Sequence, residues 1–123
     1  MQSIYAAFGR ADVPAILAHL APGIEWVVAG APTIPDGRTH RGPADVATFF
    51  QSLDSLLQFT SFEPKEFLSD GEVVVALGSY QSSGRATGRA ADDDWAMVWR
   101  FKEGRVVHYQ AHLDTLSVAK SLR

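Results

Sequence analysis

Four histidines, three consecutive aspartates and a tyrosine on an apolar strand are the groups in this chain with chemistry to offer. His112 and Asp114 stand two apart on one strand face, roughly 6 to 7 Å between Cα atoms, close enough to share a proton or, with a third ligand, to hold a metal. No third ligand stands at a suitable spacing. His108 is four residues further back, roughly 13 Å along an extended strand, too far for simple coordination with His112. His108 and His112 therefore read as surface or dimer-interface residues, and Asp114 as the cap of a final helix. His19 falls late in a helix, where a cationic imidazole complements the dipole. His40 lies in a loop expected to border a pocket mouth; it has the best functional claim of the four, set against a structural or solvated role. The Asp92-Asp93-Asp94 run makes no coordination cage, because alternate side chains diverge along a strand, and it reads as a solvated strand entry. Ser82-Ser83-Gly84-Arg85 and Gly88-Arg89 read as a hairpin tip rather than a phosphate loop, since no helix N-terminus stands behind the glycines. No metal centre and no cofactor are expected.

Tyr109 gains its interest from the strands around it. Asp94 to Phe101 and Val106 to Asp114 sort their side chains by parity. Trp95, Met97, Trp99 and Phe101 share one face, to which Val107, Tyr109, Ala111 and Leu113 can contribute, while Arg100, His108, Gln110, His112 and Asp114 take the other. Such alternation predicts a half-buried sheet with an aromatic inner wall. The Tyr109 hydroxyl can donate there to a ligand carbonyl or phenolate, or belong to a core tyrosine whose hydroxyl reaches the rim. Indole nitrogens at Trp26, Trp95 and Trp99 are donors only.

The remaining elements supply the cover for that wall. Gln2 to Phe8 predicts a short first helix, short enough to suggest further residues upstream of Met1. Asp12 caps a second helix with Pro14 in its first turn and Ile16, Leu17 and Leu20 on one face. Ala21-Pro22-Gly23 ends it, and Ile24 to Val28 alternates as a strand with Trp26 facing inward. Turn formers crowd the stretch from Gly30 to Gly42, predicting a long loop that is either a binding lid or a surface excursion. Pro43 opens a helix whose apolar face carries Val46, Phe49, Phe50, Leu53, Leu56 and Leu57. Strands follow at 59–68 and 72–81 before the two aromatic ones, with tight turns at Ser69-Asp70-Gly71 and Glu103-Gly104, so the four form an antiparallel meander.

Composition agrees with one globular domain spanning 1–123. Hydrophobic residues at 46% against 20% charged leave no long disordered segment, and a net charge of -3 without a basic run gives a nucleic-acid backbone nothing to hold. Cysteine is absent, which removes disulfides and thiolate chemistry. No apolar stretch approaches the ~20 residues of a membrane helix, and the N-terminus lacks the layout of a secretory signal, so no membrane partner and a cytoplasmic location are expected.

The order of elements, together with Tyr5-Ala6-Ala7-Phe8-Gly9-Arg10-Ala11-Asp12, Glu25-Trp26-Val27, Thr39-His40-Arg41-Gly42 before the Phe49-Phe50 helix, and Tyr109 through Asp114-Thr115, resembles SnoaL-like proteins of the nuclear transport factor 2-like, or ketosteroid isomerase-like, superfamily. The resemblance covers nearly the whole chain. It implies an α+β, cone-shaped fold in which a curved antiparallel sheet and helices on one face enclose an apolar pocket, commonly paired as a homodimer through the back of the sheet. Members include polyketide cyclases, steroid isomerases, epoxide hydrolases and dehydratases. The positions that carry their catalytic acids correspond to Val28, Met97 and Ala111, all apolar here. The expectation is a cofactor-independent isomerase, cyclase or hydratase, or a non-catalytic relative, binding a small apolar or polycyclic molecule. Its pocket would be walled by Trp26, Val28, Phe49, Phe50, Leu53, Trp95, Met97, Trp99, Ala111 and Leu113, with Tyr109 and His40 as the polar participants.

Overall fold

Asp12 starts the packing order: its carboxylate accepts the Ala15 amide at 3.2 Å and launches a helix that Pro14 tolerates in its first turn. The computed structural model of the chain describes residues 2–9, 12–28, 38–112 and 122. Leu113, the Asp114 cap and the helix expected over 115–122 lie outside that set, apart from Leu122, as does most of the 30–42 loop. In chain order the elements are α1 (Gln2–Gly9), α2 (Val13–Leu17), β1 (Leu20–Val27), β2 (Thr39–Arg41), α3 (Pro43–Leu56), β3 (Leu57–Asp70), β4 (Val73–Gly84), β5 (Ala90–Lys102) and β6 (Arg105–His112). The strands form one open, curved six-stranded sheet in the order β2-β1-β6-β5-β4-β3.

The β3 to β6 run is the antiparallel meander that the alternating pattern predicts, and β1 closes it by pairing with β6. That last pair is parallel, so the sheet is mixed rather than wholly antiparallel. Several boundaries differ from the sequence reading: β3 begins at Leu57, which the apolar pattern puts on the helix, β4 runs on to Gly84, and two further differences have local reasons. Leu20 does not continue α2; it begins β1 by pairing with Val106, and the register then shifts before Glu25. The Gly30 to Gly42 stretch is not loop throughout, because Thr39–Arg41 forms a short edge strand against β1. His19 likewise sits past the end of α2, in a turn whose carbonyl accepts the Val106 amide at 2.9 Å, so a helix-dipole role does not apply.

Parity places Trp26, Trp95, Met97, Trp99 and Tyr109 on the inner face, each at most 6% exposed. A register shift between Arg100 and Phe101 sets Phe101 opposite Val106, which makes Val106 rather than Val107 the buried residue. The β5–β6 turn is tight, with positive φ at Glu103 (53°) and Gly104 (79°). Gly78 permits a close approach: a Cβ there would meet the Glu63 carbonyl and the Trp95 ring, so only glycine lets that indole lie over β4. The β4–β5 tip is tied down, not open to a ligand, since the Arg85 amide donates to the Leu56 carbonyl and its guanidinium pairs with Asp54 at 3.2 Å.

The outer face is polar on β6, through His108, Gln110 and His112, but apolar on β4 and β5. Val73, Val75, Leu77, Ala96 and Val98 are half-buried there, and Leu68 of β3 is 57% exposed.

Candidate active site

A buried histidine beside a buried indole defines the polar end of the inner face. β2 pairs with β1 so that His40 stands opposite Trp26, with Thr39 and Arg41 on the other parity. His40 is fully buried, and its ring lies 5.2 Å from that of Phe49 on α3. Gly42 then turns the chain into α3, whose third residue, Asp45, reaches back over the turn. The Asp45 carboxylate lies 3.2 Å from His40 Nδ1, accepts the Arg41 amide at 2.9 Å and takes two bonds from the Arg38 guanidinium at 3.1 and 3.0 Å.

Those bonds hold the Asp45 carboxyl well below the usual carboxylate range, the Arg38 pair contributing most, followed by the Arg41 amide. An ionised carboxylate accepts but does not donate. The bond therefore assigns a proton to His40 Nδ1 and turns Nε2 away from Asp45. A depressed folded-state pKa stabilises the fold above the unfolded value of about 3.9 and ceases to do so as pH falls through the folded value. Thermal melts between pH 6 and pH 2 are thus expected to show a steeper acid loss for wild type than for Asp45→Asn; parallel curves would contradict the network.

Next along the row, Trp26 stacks on Tyr109 with ring centroids 3.7 Å apart and planes 23° from parallel. Phe50 meets the same indole edge-on at 5.6 Å. Burial, then the neighbouring Tyr5 hydroxyl, push the Tyr109 phenol well above its ordinary range. At neutral pH it is a donor and not a base.

The sequence reading missed Tyr5, whose sole local signal is a hydroxylated ring in a short apolar helix. Its hydroxyl accepts the Trp99 Nε1 proton at 2.9 Å and donates to Met97 Sδ at 3.2 Å, and its ring stacks on Trp95 at 5.6 Å. Burial raises its pKa, so it too stays protonated. Tyr5→Phe removes the acceptor and strands the Trp99 indole, an expected loss of about 1–3 kcal/mol in urea unfolding; an unchanged midpoint would refute the link.

The sequence-predicted wall residues divide accordingly. His40, Trp26, Tyr109, Phe49 and Phe50 meet at one end. Trp95 and Met97 pack with Tyr5 at the other, Trp99 bridges the two by meeting Tyr5, Trp26 and Tyr109, and Val28, Leu53 and Ala111 are partly buried against the same core. Met97 and Ala111 face each other across β5 and β6 as an apolar pair. His108 and His112 take the outer face, away from this row. Asp92, Asp93 and Asp94 border an open groove of about 500 Å³ with Glu63 and Ser79. Among the described residues no group of three His, Asp or Glu side chains is arranged to hold a metal ion.

An open curved sheet with helices over an aromatic inner face is an α+β architecture. The SnoaL-like domain matches residues 1–109, and the chain belongs to that family. Similar solved structures include NTF2-like proteins from Burkholderia xenovorans (31% identity, TM-score 0.87, 99% of this chain and 92% of that one) and Burkholderia thailandensis (30%, 0.89, 99% and 93%). TerC, co-crystallised with polyporic acid, has the same fold at 24% identity and TM-score 0.85, covering 98% of this chain and 93% of its own. No curated protein matches. No helix among the described residues is long and apolar enough to cross a membrane.

Proposed function

We propose that the chain binds a small apolar or polycyclic molecule at the His40 end of the inner face and moves a proton on it without a cofactor. The observation carrying this reading is the fully buried His40, held at Nδ1 by an ionised Asp45 and standing beside Trp26. An imidazole so oriented presents Nε2 as a general base, and it supplies what the apolar Val28, Met97 and Ala111 positions do not. In such a step Nε2 takes a proton from carbon next to a carbonyl, the electron pair passes to the oxygen, and the proton returns elsewhere on the ligand. Tyr109, kept protonated, is a donor for that oxygen. Phe49, Phe50, Leu53, Val28 and Ala111 supply the wall, with Trp95, Met97 and Trp99 beneath. The crystallisation of TerC with polyporic acid is consistent with an aromatic ligand. Deuterium exchange at the α-carbon of 1-tetralone and related cyclic ketones, followed by proton NMR in heavy water, tests the step. Exchange above the buffer rate is expected; exchange at the buffer rate across the panel would contradict it.

A second reading keeps the ligand and drops the chemistry. It is favoured by the three apolar positions where relatives carry acids.

The molecule is further proposed to pair with a second copy through the outer face. Val75 of β4 and Val98 of β5 are cross-strand partners there, next to the exposed Leu68. Light scattering is expected to give a dimer for wild type and a monomer for Val98→Lys. A wild-type monomer in the micromolar range would remove the proposal.

A further inference from the structure

The three indole nitrogens of the inner face are not equivalent. Trp95 Nε1 donates to the Ser79 carbonyl at 3.1 Å and Trp99 Nε1 to the Tyr5 hydroxyl at 2.9 Å, whereas Trp26 Nε1 is buried with no hydrogen-bond partner among the described residues. An indole N–H is a donor only, and leaving one buried and unpaired costs about 1–3 kcal/mol. Native proteins pair the large majority of such groups, so an exception asks for a physical reason.

The surroundings narrow it. Trp26 is 1% exposed and is contacted by the rings of Phe49, Phe50, Trp99 and Tyr109. The N–H bond lies in the indole plane, while Tyr109 stacks on the indole face and is not its acceptor. A lone water would need two to four polar partners, and the contacting rings offer few, the Trp99 indole already donating to Tyr5. The cross-strand neighbour of Trp26 on the same face is His40.

We propose that Trp26 Nε1–H is the donor that binds the ligand, and that the ligand therefore presents a carbonyl or phenolate oxygen from within an aromatic or polycyclic body. The inference rests on the reading that the inner face holds a ligand, and it adds the residue that orients it. A donor at this position holds the oxygen on the strand next to His40, which selects against hydrocarbons of the same shape, because they leave the indole unpaired.

The test uses the intact protein and two probes of equal shape, 2-naphthol and 2-methylnaphthalene. Nitrogen-15 labelled protein gives one signal per indole, and Trp26→Phe assigns that of Trp26. Naphthol is expected to bind roughly 5- to 10-fold more tightly than methylnaphthalene and to move the Trp26 indole proton downfield. In folded Trp26→Phe the preference is expected to vanish. Equal affinities of wild type for the two probes would overturn the donor and need no variant, as would a Trp26 signal unmoved while naphthol binds. Failure of both probes to bind would overturn the ligand site itself, and the donor with it.

Discussion

Trp99→Ala is expected to cost about 3–5 kcal/mol, roughly a fifth or more of the stability of an ordinary domain. Trp99 is fully buried and its ring meets those of Tyr5, Trp26 and Tyr109, with centroids 4.6 to 5.8 Å away. Truncation removes these contacts and leaves the Tyr5 hydroxyl without its indole donor. Trp99→Phe keeps an aromatic ring and loses the N–H, so it is expected to fall between wild type and alanine. Urea unfolding followed by circular dichroism gives the order. A Trp99→Ala midpoint indistinguishable from wild type would mean that this side chain lines open space and the packed end of the inner face has been misassigned.

The second large effect concerns chemistry. His40→Gln is expected to lower protein-dependent ketone exchange by about 10²- to 10⁴-fold, because glutamine fills a similar space and can donate to Asp45 but cannot take up a proton at neutral pH. Asp45→Asn is expected to give a smaller loss together with an altered pH profile, since it removes the acceptor that sets the histidine tautomer. Full activity in His40→Gln would transfer the role to another group, and equal losses from both variants with matched melting temperatures would bind the two residues into one functional unit.

Much of this architecture was legible from the chain because strand parity is local. Trp95, Met97 and Trp99 face inward whatever β5 pairs with, and the tight turn at Glu103-Gly104 follows from two residues. Parity failed where the ladder slips: one register shift beside Arg100 exchanged Val106 for Val107. The Thr39–Arg41 strand was hidden among turn formers, since three residues carry little pattern and its pairing depends on β1. Leu20 looked helical for the same reason, because its strand partner Val106 is distant in the sequence.

At the site, side-chain type was visible and partnership was not. His40 could be singled out as a histidine before a helix, but its bond to Asp45 depends on how Gly42 turns the chain from β2 into α3. Tyr5 becomes important only when α1 docks on β5. The unpaired state of Trp26 is a property of its whole surroundings, so no local pattern announces it.

The most direct test of the central claim is a crystal structure of the protein with 2-naphthol bound. The naphthol ring is expected against Trp26, Phe49 and Tyr109, with its oxygen within about 3 Å of Trp26 Nε1 and on the His40 side. Naphthol seated in the groove beside Asp92 to Asp94 or on the outer face, with the His40 end closed around its own aromatic rings, would contradict it.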